Sequence, residues 1–139
     1  MRYILEASKE QMNIIQTALE EYFRLRMNQT WDFADSLCFE GFDFKNHTQE
    51  EFDEVINRRD CFKDEFEKLL NEAHPIQIRG GFRNKTTEML RAQDVWQVIR
   101  HFMYLDGGGD PNGYVVDARE PLCVSGEPLP RMERKDSDD

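Results

Sequence analysis

Tyr114-Val115-Val116-Asp117-Ala118-Arg119 and, beyond Pro121, Leu122-Cys123-Val124-Ser125 are the two runs whose reading decides the fold. Both are short, rich in β-branched and apolar residues and bounded by Gly and Pro, which is the pattern of brief strands. Arg2-Tyr3-Ile4-Leu5-Glu6 has the same character and reads as an edge strand. Together they predict a small antiparallel sheet. The preceding segment, residues 106–113 (DGGGDPNG), lacks the alternating acids and closing glutamate of a calcium loop and reads as a flexible turn.

Between these runs the periodicity is helical. Ser8 and Gln11 have the spacing of a capping box, and Met12, Ile15, Ala18, Leu19, Tyr22 and Phe23 recur at three- and four-residue intervals, predicting a helix to Met27 or Asn28. Residues 29–47 carry Trp31, Phe33, Phe39, Phe42 and Phe44 without a clear period; they read as an ordered loop with a helical turn near Asp32 to Leu37. A second capping box, Thr48 with Glu51, opens a stripe of Phe52, Val55, Ile56, Phe62, Phe66, Leu69 and Leu70 that His74-Pro75 ends. Its acids alternate with Arg58, Arg59, Lys63 and Lys68, the signature of a solvated face. Met89, Ala92, Val95, Trp96, Ile99, Phe102 and Met103 define a third amphipathic helix stopped by the glycines at 107–109. The expected fold is therefore α+β: one compact domain over 1–132 with a long N-terminal helix, two further amphipathic helices and a small antiparallel sheet, and a charged flexible tail at 133–139.

Residues 75–87 (PIQIRGGFRNKTT) join an apolar run, two glycines, an aromatic and three cations to a helix start. Glycines permit positive φ and close backbone approach, and a cap from Asn84, Thr86 or Thr87 leaves helix N–H groups pointing outward, which suits an anion. Phe82 beside Arg79, Arg83 and Lys85 offers a stacking face next to cations. Ordinary surface cations and a core phenylalanine account for the same composition.

A chain of 139 residues supports one core rather than two comfortable domains. Its formal charge of −10 makes duplex nucleic acid a poor partner for the surface as a whole, though not for a local basic pocket. Three unpaired-looking cysteines, Cys38, Cys61 and Cys123, suggest a reducing cytosolic setting, and no run approaches a membrane span. The histidines His47, His74 and His101 are too scattered for a zinc site. No nucleophile elbow, Walker loop, HExxH or Rossmann fingerprint occurs. Binding without turnover, and without a cofactor, is the expectation.

The order of features also resembles a known family. An N-terminal strand leads into a helix ending in Arg24-Leu25-Arg26-Met27-Asn28-Gln29; later come Gly80-Gly81-Phe82-Arg83-Asn84, an amphipathic helix, and a closing segment from Leu122 to Pro130 (LCVSGEPLP). In outline this resembles the phage-encoded Thoeris anti-defence nucleotide sponges of the first described type; the acidic helix at 50–70 is the part that aligns least. The resemblance implies an α+β protein, a dimer or assembly of dimers, acting in the cytoplasm of a bacterial host. It implies sequestration, without cleavage, of cyclic ADP-ribose isomers, with cyclic di- or trinucleotides in a separate pocket in some members. Phe82 would then stack on adenine, Asn84 would bond base or ribose, and Arg119 with Asp117 would contribute pyrophosphate or ribose contacts. Arg24, Met27 and Asn28 would belong to the second pocket. The competing reading is an acidic protein-binding inhibitor of a host defence component, imitating nucleic acid charge through the helix at 48–70.

Overall fold

The computed structural model describes residues 1–76 and 85–136, and among them every regular element is helical. Among the described residues four α-helices follow one another, α1 Lys9–Arg26, α2 Trp31–Cys38, α3 Gln49–Ala73 and α4 Thr87–Asp106, and a 3₁₀ turn lies at Val116–Ala118. The expected antiparallel sheet is absent from the described residues, so the α+β reading is corrected to an all-helical one. The chain divides into two compact units, Met1–Glu20 with Thr86–Asp139, and Glu21–Lys85.

The helix starts follow from local chemistry. Ser8 and Gln11 exchange bonds at the head of α1, Ser8 N–H donating to Gln11 Oε1 at 2.9 Å and Gln11 N–H to Ser8 Oγ at 3.2 Å. Thr48 and Glu51 do the same at α3, with distances of 2.8 and 3.1 Å. At α4 it is Thr86 whose hydroxyl accepts from Met89 N–H at 3.3 Å. Each pair satisfies donors that the first helical turn leaves without partners.

The ends are equally specific. At α1, Asn28 adopts φ 59°, and Gln29 N–H reaches back to the Arg24 carbonyl at 2.9 Å. At α4, Gly108 takes φ 86° and Gly109 N–H bonds the Tyr104 carbonyl at 2.9 Å. Both are left-handed terminations that close a helix by turning the chain back on its last carbonyls.

In the unit Glu21–Lys85, α2 lies on α3 through rings. Phe33 sits 6.2 Å from Phe62 and 5.6 Å from Phe66, and Ala34 and Val55 are buried. The segment between the two helices is folded around Phe39 and Phe42, whose ring centroids lie 5.6 Å apart and each 5.0–6.1 Å from those of Phe44 and Phe52. Asp43 fixes that turn, its carboxylate accepting from Lys45 N–H at 2.9 Å and Asn46 N–H at 3.1 Å.

In the other unit, α4 buries two stripes rather than one. Met89, Ala92, Trp96 and Ile99 form the apolar stripe; removing a side chain such as Met89 from water contributes on the order of 2 kcal/mol. Asp94 and Gln97, also buried, begin a polar stripe that His101 continues one turn later. The polar stripe explains why the C-terminal runs are not strands. The Gln97 amide takes both main-chain groups of Leu122, donating to its carbonyl and accepting from its N–H at 3.1 Å each. The Asp94 carboxylate accepts from Val124 N–H at 2.8 Å and Ser125 N–H at 3.1 Å. Main-chain groups that a sheet ladder would occupy are thus taken by helix side chains. At 114–119 local bonds win instead: Ala118 N–H to the Val115 carbonyl at 3.2 Å and Arg119 N–H to Val116 at 3.1 Å close the 3₁₀ turn. Residues 1–8 hold no regular element. With no neighbouring strand available in the described chain, β propensity has nothing to pair with.

Candidate functional site

The residues singled out from the sequence fall into three groups. Phe82 and Asn84, with most of the glycine-rich stretch, lie outside the described residues. Lys85, at its edge, is partly buried, and desolvation pulls its ammonium below the ordinary lysine range. Arg119 and Asp117 belong to the unit containing α4, whereas Arg24, Met27 and Asn28 belong to the other.

The second group has structural employment. Arg24 donates to Gln29 Oε1 at 2.9 Å and pairs with Asp32 at 3.1 Å, tying the end of α1 to the start of α2. Met27 is 8% exposed and part of the core. Asn28 supplies the left-handed residue that ends α1, and its amide donates to Asn71 Oδ1 of α3 at 2.5 Å. These three positions come together because they terminate a helix.

The group around Arg119 differs. Asp117 is anchored to α4 twice: its carboxylate meets Arg100 Nε at 3.3 Å, and its carbonyl lies 2.9 Å from His101 Nδ1. Arg100 in turn covers the Trp96 ring at 4.1 Å. Ala118, next in the chain, is buried. The turn is therefore fixed at its centre, while its flanks project. Tyr114 is fully exposed, Val115 and Val116 are 49% and 54% exposed, and Arg119 is exposed with no side-chain partner among the described residues. An aromatic ring, two aliphatic side chains and a guanidinium are thereby presented on one short, anchored segment. A guanidinium matches phosphate oxygens, and an exposed ring stacks on a base.

Sequence reasoning pointed to Arg119 and Asp117 but not to Tyr114 as a surface ring, because the segment was read as a short strand. It also missed the Asp94 and Gln97 clamp. The signal was available: Asp94, Gln97 and His101 stand at i, i+3 and i+7 on a helix otherwise read only for its apolar stripe.

Around that clamp the chemistry is consistent with anchoring. Ser125 Oγ donates to the Asp94 carboxylate at 2.5 Å, the Cys123 thiol donates to the Glu127 carbonyl at 2.9 Å, and Arg91 Nε bonds the Glu127 carboxylate at 2.9 Å. The hydrogen bonds from Arg91 hold the Glu127 carboxyl below its ordinary range.

On α3 the cations are largely consumed within their own unit. Arg59 pairs with Asp35 at 2.9 Å and Asp60 at 3.0 Å and covers the Trp31 ring at 4.3 Å, while Lys68 pairs with Glu65 at 3.2 Å. Glu50, Glu51, Asp53, Glu54 and Glu67 are exposed. Among the described residues no three His, Cys, Asp or Glu side chains gather closely enough to hold a metal ion. Within the same residues, no helix is long and apolar enough to cross a membrane. Comparison with protein-family models, curated proteins and solved structures finds no match.

Proposed function

We propose that this chain is a non-catalytic nucleotide-binding protein that sequesters a signalling nucleotide of the cyclic ADP-ribose class in the cytoplasm of a bacterial host, and so blocks host anti-phage defence. The observation that carries this reading is the anchored turn at 114–119, which presents Tyr114 and Arg119 to solvent while Asp117 holds it on α4. A cyclic dinucleotide offers the same combination of base and phosphate and belongs in the same test. Asp117, engaged with Arg100, acts here by positioning Arg119 rather than by touching ligand. The likeness of the segments at 24–29, 80–84 and 122–130 to the anti-defence sponges supports the choice of ligand class. The all-helical fold departs from that family's α+β expectation, so the weight of the proposal rests on the turn.

The test is ligand retention. Purified protein is incubated with cyclic ADP-ribose isomers and cyclic di- and trinucleotides, freed of unbound ligand, heat-denatured, and the released compounds are chromatographed. Intact nucleotide is expected from the native chain and at least about tenfold less from Arg119→Ala or Tyr114→Ala, since each removes a charge-assisted bond or a stacking face. A cleaved product would make the protein an enzyme, and retention of nothing would remove the nucleotide reading.

One observation favours a second reading. Three α3 cations, Arg59, Lys63 and Lys68, are drawn into ion pairs while the acids at 50, 51, 53, 54 and 67 stay exposed, which favours a negative face of the kind an inhibitor of a nucleic-acid-binding defence protein would present.

A further inference from the structure

Residues 1–7 combine two properties that rarely coincide at a resting surface. Their central side chains are apolar and exposed, Tyr3 at 88%, Ile4 at 90% and Leu5 at 70%. Their main chain is also unengaged: among the described residues no backbone–backbone hydrogen bond reaches any of them. A row of open N–H and C=O groups carrying β-forming side chains is a template for pairing with another strand. Among the described residues no strand answers it.

The sequence specifies what does. Arg2-Tyr3-Ile4-Leu5-Glu6 is self-complementary when run against itself in reverse. Centred on Ile4, an antiparallel pairing sets Arg2 opposite Glu6, Tyr3 opposite Leu5, Ile4 opposite Ile4 and Glu6 opposite Arg2. Because side chains alternate between faces, Tyr3 and Leu5 of both copies gather on one face, and the two Arg–Glu pairs flank Ile4 on the other. A slip by one residue moves the charges out of register and sends the rings to the opposite face.

We propose that residues 2–6 form a two-stranded antiparallel ladder with the same residues of a second copy of this chain, related by a two-fold axis at Ile4. The ladder exists only between copies and adds no sheet to the single chain. Glu6 already pairs with Lys135 at 3.2 Å, but both side chains are more than two-thirds exposed. Such a pair is weak and screened, so it yields to a partner fixed across a ladder. A two-stranded ladder is marginal alone, so the association is reversible and concentration-dependent. This inference does not depend on the nucleotide reading.

Sedimentation equilibrium up to roughly 1 mM protein tests it. The native chain is expected to form a reversible dimer. Arg2→Glu places glutamates at both charged positions and Glu6→Arg places arginines at both, so each alone should associate about tenfold more weakly. An equimolar mixture of the two restores opposite charges across the ladder and should regain native association. The double variant Arg2→Glu with Glu6→Arg should do the same by itself, and Lys135→Ala should leave the dimer intact. Because residues 1–7 make no backbone–backbone bonds among the described residues, helical circular dichroism should be unchanged in all of them. A native chain that stays monomeric throughout the range, a dimer indifferent to the charge changes, or a mixture that fails to recover would each overturn the proposal.

Discussion

At the scale of single residues, Asn28 shows how one position can look like a ligand contact and be something else. Its φ of 59° is a conformation that most side chains avoid and that Asn and Gly accept. Asn28→Ala should therefore cost about 1 kcal/mol from backbone strain and the lost bond to Asn71, whereas Asn28→Gly keeps the turn and should cost less. Urea denaturation of the pair separates the two contributions. If Asn28 served chiefly as a ligand group, both substitutions would abolish retention of a nucleotide equally while leaving stability alone. The end of α1 near Met27 or Asn28 was legible from sequence, since the apolar stripe stops there and Arg24 and Arg26 suit a last turn. Its bond to Asn71, 43 positions away, was not.

At the scale of elements, the C-terminal segment is held by side chains that reach from α4. Removing the Asp94 carboxylate leaves the N–H groups of Val124 and Ser125 and the Ser125 hydroxyl without their acceptor. Hydrogen bonds to charged acceptors are worth more than neutral ones, so Asp94→Ala should destabilise by about 3 kcal/mol and speed amide exchange first at 122–127. Stability by urea titration and exchange by NMR check the two parts. The Arg91 to Glu127 tie adds a pH dependence. Since the Glu127 carboxyl is held below its ordinary range, the tie is fully present above the unfolded-state glutamate value and is lost as pH falls through the lower folded value. The Arg91 Nε–H resonance should therefore lose its protection in acid, and Glu127→Gln should remove that acid step. For α3, reading Thr48 with Glu51 located the start because capping is local chemistry; no comparable local rule located the clamp.

At the scale of the whole molecule, charge is the property that sets partners. The formal charge of −10 repels a phosphate backbone, and the pairing of Arg24, Arg59, Arg91 and Arg100 with carboxylates weakens the field of those cations further. The protein should show no binding to duplex DNA by fluorescence anisotropy at roughly physiological salt, while a small anionic ligand met by one exposed guanidinium is not subject to that repulsion. The same charge acts against self-association, which is why a ladder with opposite charges in register matters for pairing of copies.

The sequence by itself determined the three long helices, because their starts, ends and apolar stripes depend on neighbours within a few residues, Ser8 with Gln11 and Thr48 with Glu51. The cap of α4 stayed open among Asn84, Thr86 and Thr87 until Thr86 was seen to accept from Met89 N–H. The sequence also determined the acidity and put a cation at 119 without fixing its surroundings. Only the tertiary structure decided that Tyr114–Arg119 and Leu122–Ser125 are not strands. Strand propensity is a statement about having a neighbour to pair with, and here Gln97 and Asp94 of α4 supply the hydrogen bonds at Leu122, Val124 and Ser125 that a neighbouring strand would have made.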